Sequence, residues 1–272
     1  MLKATDFFSL DDFAHKAIFS DTEFVWEALS KIKSYLTERL VPNMIHLRRE
    51  GNIFIGNRVL YNDKLFHSGF DIFAGDVTKG KLKVVKDGVE LKGASVIYEG
   101  AMIFDDEVYI GKGSVIEPGA LIYGPTIIGN HTEIRQGAYI RGNCIIGDGC
   151  VVGHTTEMKN SIMLNHAKAG HFAYIGDSIL GNNINLGAGV KLANLKFSGS
   201  EIILKIDNQS YLTGIRKFGA ILGDNVQIGC NAVTNPGSLI GADSYALPLI
   251  SVQSGYYPRY SIIGKDANKE LR

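Results

Sequence analysis

The sequence predicts a mainly β protein built as a parallel β-helix, and three observations carry that expectation. Ile110, Ile116, Ile122, Ile128, Ile134, Ile140, Ile146, Val152 and Met158 stand six residues apart, nine times running. An amphipathic helix repeats near 3.6 residues and a half-buried strand at two, so neither gives a bare period of six. A chain that turns a corner every hexad, pointing one branched side chain inward per face, does. Second, Gly111, Gly129, Gly147 and Gly153 directly follow inward positions, where the corners need backbone freedom. Third, 32 glycines against 6 prolines suit many tight corners rather than a disordered linker.

The remaining composition narrows the function classes. Lys plus Arg and Asp plus Glu are both 28, so net charge is zero. No global field draws nucleic acid or an anionic membrane, and an anionic ligand has to be met by local charges. Basic residues are dispersed among acids without interleaved aromatics, which excludes a nucleic-acid surface. Cys144, Cys150 and Cys230 read as buried structural thiols, since an odd count in this pattern argues against a disulfide framework. The start, MLKATDFFSLDDF, has acids where a signal peptide needs an apolar core, and no apolar run reaches a membrane span. A soluble cytoplasmic protein is expected.

Along the chain, Ser20 and Glu23 fit a capping box that opens a helix. Val25, Leu29, Ile32, Leu36 and Leu40 give it one apolar stripe, and Pro42 ends it. That stripe is expected to cover part of the β-helix or a subunit contact, with Trp26 as a packing anchor. Residues 52–94 look strand-rich and irregular and complete an N-terminal segment, 1–94. The solenoid is expected over 95–254, opening with Ile97 and Ile103. Its register slips after Met158, with hexads of five residues at 156–160 and 167–171, and continues through Ile175, Leu180, Leu186 and Leu192. The stretch LKFSGSEIILKIDNQSYLTGI breaks the pattern and reads as an inserted loop near 195–215. The repeat returns at Leu222, Ile228, Thr234, Ile240, Ala246 and Val252. A tail, 255–272, is expected to leave the solenoid, with a neighbouring subunit as its destination.

The slipped hexads carry the chemistry. A solenoid needs no His, Lys, Tyr or Asn at particular corners, yet residues 153–194 gather them: Glu157-Met158-Lys159, Lys168-Ala169-Gly170-His171, Tyr174-Ile175-Gly176-Asp177, Asn183-Ile184-Asn185-Leu186-Gly187-Ala188-Gly189 and Asn194. Taken singly, a corner Asn serves its own turn and Tyr174 packs; as a spaced set they point to a site. This string resembles the acetyltransferase domain of the bifunctional bacterial glucosamine-1-phosphate acetyltransferase/N-acetylglucosamine-1-phosphate uridyltransferases. The resemblance implies a left-handed β-helix, a homotrimer and acetyl-CoA bound between subunits. It also implies N-acetylation of a hexosamine 1-phosphate, glucosamine 1-phosphate foremost, feeding UDP-N-acetylglucosamine synthesis. Arg141 falls at the family's phosphate-binding arginine, 18 residues before Lys159.

The residue types fit that chemistry on their own terms. Transfer to an amine needs the free base, and a histidine, here His171, titrates in the right range to take the proton. Arg141 and Lys159 suit a dianionic phosphate, Tyr174 and Asn185 suit hydroxyls, and Asn194 suits the acetyl carbonyl or pantetheine arm. The resemblance assigns Cys230, Pro248 and Lys265 to coenzyme positions, each substituted relative to the family. Residues 1–95 offer no Gly-rich phosphate loop, so uridyl transfer is not expected from this chain. Ala193-Asn194-Leu195 and Arg216-Lys217-Phe218-Gly219-Ala220 look more like the β-helix tails of other sugar-1-phosphate nucleotidylyltransferases. Two other readings stand beside this one. His131, His166 and His171, at intervals of 35 and 5, approach the three-histidine zinc site of γ-class carbonic anhydrases. No metal is expected on the acetyltransferase reading, and only a cross-subunit zinc site fits the spacing. The third reading is a non-catalytic scaffold that binds a sugar nucleotide.

Overall fold

The computed structural model describes residues 2–44 and 52–264 and the backbone of Lys269–Glu270. It is a left-handed parallel β-helix of about nine coils. Each coil contributes a short strand to each of three parallel sheets. The first face runs from Ser95–Ile97 through Glu133–Ile134, Val151–His154, Lys168–His171 and Asn185–Leu186 to Ser261–Ile263. The second includes Tyr139–Arg141, Glu157–Lys159, Tyr174–Gly176 and Lys191–Leu192; the third includes Thr126–Ile128, Cys144–Ile146, Ser161–Met163 and Ile179–Leu180. The inward residues stack in register, as in Ile122, Ile140, Met158, Ile175, Leu192, Thr234 and Val252 on the second face. All are fully buried and, with their counterparts on the other faces, form the core.

The register slips differ in place from the sequence reading. Inward positions run Met158, Met163, Ala169, Ile175, Leu180, so the five-residue steps are Met158 to Met163 and Ile175 to Leu180. Around residues 167–171 the steps are full sixes, Met163 to Ala169 to Ile175. Both short steps turn the corner between the second and third faces, and the insertion leaves at this corner one coil later. The insertion is not shapeless: Ile203–Ile206 and Gln209–Leu212 form an antiparallel hairpin. Nor does the chain leave the solenoid after residue 254. Gly255–Tyr257 and Ser261–Ile263 pair in parallel with Ser238–Ile240 and Tyr245–Ala246 and complete the last coil. The inward residues there are Tyr257 and Ile263, and the first is too unlike an aliphatic to be read as a hexad marker.

The middle residues of the third-face strands point outward: Ile127, Ile145, Ile162, Ile179, Ile221 and Leu239. Left bare they would make an apolar wall. They are buried instead by the N-terminal segment and the hairpin, through Phe7, Phe13, Val25, Leu29, Ile32, Leu36, Leu204 and Phe218. The expected helix exists as Glu27–Arg39, later than Ser20. Ser20 instead closes a 3-10 turn at Lys16–Phe19, and Asp21 takes a left-handed φ of 55°, which a helix cannot pass through. The helix start is met by Glu27, whose carboxylate accepts from the backbone N–H of Glu23 and Phe24. Trp26 is an anchor as expected: it is 2% exposed and stacks on Phe24 at 4.6 Å between centroids. Residues 52–94 pack through Val59, Val77 and Val84 on Val96 and Val115 of the first face.

Cys144 and Cys150 are buried thiols, pushed up to about 12 by desolvation and therefore inert as nucleophiles. Cys230 is exposed, against expectation, because it occupies a corner rather than an inward position. Thr234 sits inward between Leu192 and Val252, and its hydroxyl has no hydrogen-bond partner among the described residues. An unsatisfied buried hydroxyl is unfavourable where a methyl of the same shape would fit. Thr234→Val should therefore raise stability by about 1 kcal/mol, read from urea unfolding midpoints; a lower midpoint would refute the assignment.

Candidate functional site

The corner between the second and third faces holds a buried polar knot. Lys159, at the end of its strand, places Nζ 3.0 Å from Asp177 Oδ2, and the two side chains are only 16% and 6% exposed. The other Asp177 oxygen accepts from Asn160 Nδ2 at 2.9 Å, and Asn194 Nδ2 donates to Oδ2. Tyr174 lies beside Asn194, its phenol raised by burial. The two five-residue steps bring these groups together by drawing successive corners tight. One coil before Lys159, Arg141 is paired with Glu157 at 2.6 Å and lies 5.8 Å from the centre of the Tyr139 ring. That pairing raises the guanidinium pKa, chiefly through the Glu157 hydrogen bond. Arg141 remains 44% exposed, so it is an accessible cation of the second face.

His171 is elsewhere, on the edge between the first and second faces. It follows the outward residues Lys168 and Gly170 and precedes Phe172, which has a left-handed φ of 52°. The imidazole makes no hydrogen bond among the described residues. It borders an open groove of about 540 Å³ on the first face, whose lining includes Lys168, Gly170, Asn185 and Gly187. Backbone bonds run from Phe172 N–H to His154 O, Gly189 N–H to His171 O, Asn231 N–H to Ala188 O, and Leu249 N–H to Cys230 O. They stack His154, His171, Ala188, Cys230 and Pro248 in one file along the edge. At a strand spacing of roughly 4.8 Å, Cys230 stands about 10 Å and Pro248 about 14 Å from His171.

The structure thus sorts the expected residues into three groups. His171 and Asn185 share the groove, with Cys230 and Pro248 continuing along its edge. Lys159, Tyr174 and Asn194 share the knot, with Arg141 one coil away. Lys265 lies outside the described residues. Sequence reasoning gave no role to Asp177 or Glu157, the anions that hold Lys159 and Arg141. The signal was present in the spacing: 18 residues separate Lys159 from Asp177 and 16 separate Arg141 from Glu157, each about one coil.

The zinc geometry does not form within the chain. His131 and His166 lie two coils apart on the edge between the third and first faces, both with left-handed φ, over Gly113 and Gly149 respectively. His171 is on a different edge. Among the described residues no three His, Cys, Asp or Glu side chains converge to hold a metal.

Comparison with known proteins bears out the resemblance carried by Glu157-Met158-Lys159 and the strings after it. A family model described as the GMPPB C-terminal domain matches residues 122–215. The bifunctional protein GlmU of Methanococcus aeolicus is 36% identical over 165 residues, 60% of this chain and 38% of that protein. A bifunctional sugar-1-phosphate nucleotidylyltransferase/acetyltransferase of Sulfurisphaera tokodaii is 33% identical over 164 residues, again 60% and 38%. The chain spans about two-fifths of the length of these relatives. Among solved structures, the Francisella novicida UDP-N-acetylglucosamine acyltransferase aligns over 65% of this chain and 68% of that one, at 17% identity and a TM-score of 0.35.

The knot generates a stability prediction. Removing one partner of a buried ion pair leaves the other uncompensated. Asp177→Asn, which tolerates the left-handed φ of 47° there, should lower unfolding free energy by about 3 kcal/mol in urea titrations. A loss no larger than that of an exposed pair would show that the Lys159–Asp177 pair contributes little to holding this corner.

Proposed function

We propose that this chain is an N-acetyltransferase moving acetyl from acetyl-CoA to the amine of a hexosamine 1-phosphate, glucosamine 1-phosphate foremost. The observation that supports the reading is His171: an imidazole without a hydrogen bond among the described residues, on the rim of an open groove, in a chain similar to a bifunctional nucleotidylyltransferase/acetyltransferase. Acyl transfer to a sugar phosphate or sugar nucleotide is the coarser reading that those likenesses support, and the preference for a hexosamine 1-phosphate rests on Arg141 and Lys159.

The chemistry follows from the groups present. The acceptor amine attacks the thioester carbonyl carbon, its proton passes to the free imidazole nitrogen of His171, and the carbon–sulfur bond breaks to release the thiolate. The file of Cys230 and Pro248 beyond His171 gives the long donor a rail along the same edge. Asn185 bonds acceptor hydroxyls within the groove.

A homotrimer would supply what one chain separates. Arg141 and the knot stand on the second face, His171 and Asn185 on the first, with an edge between them. The third face is already covered by the N-terminal segment, so the exposed second face is the one free to meet the next subunit's groove. A cyclic trimer would join the cations of one subunit to the base of another. Sedimentation equilibrium should then give about 89 kDa, three times the 29.6 kDa chain; a monomer at micromolar concentration would remove the shared site.

A thiol-release assay over a panel of amino-sugar phosphates tests the activity. His171→Ala should lower kcat by roughly 10²–10⁴-fold with little change in KM, because a general base serves the transition state. Arg141→Ala should raise the acceptor KM, and less so for unphosphorylated glucosamine. Equal turnover by wild type and His171→Ala would reduce His171 to a corner residue. Binding of a nucleotide sugar without turnover of any amino sugar would favour the scaffold reading.

A further inference from the structure

The groove beside His171 has one wall that does not come from the solenoid. The 3-10 turn Val77–Lys79 joins the antiparallel strands Phe70–Phe73 and Lys83–Lys86, and Asp76 and Thr78 reach the groove lining. The turn is held firmly. Val77 is buried against the first face, and Gly80 adopts a left-handed φ of 66° close to the His131 ring. The floor beneath is bare. A methyl group added at Gly170 would meet nothing within 4 Å, and its backbone is not in the left-handed region. A void of this size, at about 540 Å³, matches small-ligand sites.

The chemistry of the wall differs from that expected of a phosphate site. Asp76 is paired with Lys79 at 2.9 Å and accepts from the Thr78 hydroxyl at 2.8 Å. Across the groove floor Glu133 is paired with Arg135 at 2.7 Å. The four charges cancel, so this end presents donors and acceptors without a net charge. Such a surface suits uncharged hydroxyls, and a phosphate has no reason to settle there. Glu133 and Lys168 lie in one outward file with Val151 between them, two coil steps or roughly 10 Å apart. Asp76 and Thr78 of the turn, Glu133 and Lys168 of this file, and His171 of the adjoining edge file all line the one groove.

We infer that the turn at Asp76–Lys79 is a specificity-determining element for the acceptor, Asp76 and Thr78 reading hydroxyls of an amino sugar whose amine lies at His171. The inference rests on the acetyltransferase reading for the identity of the sugar, but not for the existence of the contact. It gives the N-terminal segment a share in substrate choice that the hexad scaffold alone does not contain. A site built to bond hydroxyls discriminates strongly against analogues that lack them or point them elsewhere.

The test is calorimetric titration of glucosamine 1-phosphate into the full chain and its variants, run beside the thiol-release assay. Thr78→Ala and Asp76→Asn should each weaken binding roughly tenfold, leave the KM for acetyl-CoA unchanged and narrow the preference between hexosamine epimers. Thr78→Ser should restore binding, which a merely structural role would not require. Gly170→Leu should abolish binding by filling the floor. If Gly170→Leu abolishes binding while Thr78→Ala and Asp76→Asn stay within twofold of wild type, the turn has no part in recognition and the inference falls, with the acetyltransferase reading intact. If the variants weaken binding but no amino sugar is turned over, the inference stands and the acetyltransferase reading falls. If wild type does not bind the sugar phosphate, the inference is overturned.

Discussion

Parallel stacking of one inward side chain per face per coil is the constraint on which the rest of the structure depends. Because Ile122, Ile140, Met158, Ile175 and Leu192 must lie directly over one another, every residue between them is assigned to an outward position or a corner. The molecule can vary a coil only at its corners. It does so by shortening two of them and by sending a hairpin out of a third, all at one edge. Lys159, Asp177 and Asn194 collect at that edge for this reason. Functional groups on a solenoid are thus addressed by coil and corner, and two residues far apart in sequence are neighbours whenever their addresses differ by one coil.

Covering one face changes what the other two can do. The outward isoleucines of the third face are as apolar as a core and would not remain in water. The helix Glu27–Arg39, the segment before it and the hairpin Ile203–Ile206/Gln209–Leu212 bury them together around Trp26. Backbone anchors reinforce this cover: Asn165 and Asn182 donate from their side chains to the carbonyls of Asp12 and Ser9. The insertion and the N-terminal segment, separate in sequence, therefore form one structural unit. Its effect is to leave much of the first and second faces uncovered, including the groove beside His171.

The hexads made most of the fold legible, because an inward residue has to be aliphatic and a corner tolerates few shapes. The clustered polar residues at 153–194 were legible for the complementary reason that a solenoid has no structural use for so many of them. What stayed hidden were pairings set by coil length. Asp177 lies in a quoted motif, yet its partnership with Lys159 requires knowing that about 17 or 18 residues make one turn there. The helix start at Glu27 was obscured because Ser20 and Glu23 match a capping box in spacing, while Asp21 takes a backbone angle that sequence does not announce. Asp76 and Thr78 gave no signal, since the hairpin that carries them has no repeat and reaches the groove only through tertiary packing.

The ends of the first face also bear on how the molecule behaves with its own copies. At its start the antiparallel strands Arg58–Tyr61 and Lys64–Phe66 continue the sheet beyond Ser95–Ile97. At its finish Lys269–Glu270 pairs antiparallel with Ser261–Ile263. A parallel ladder invites another parallel strand at either margin, and an uncapped solenoid is a template for fibre-like elongation. Reversing the strand direction at both margins of this face means that its ladder cannot be continued in phase there by a parallel strand of a second molecule, so this face resists the end-to-end growth that a bare ladder would permit.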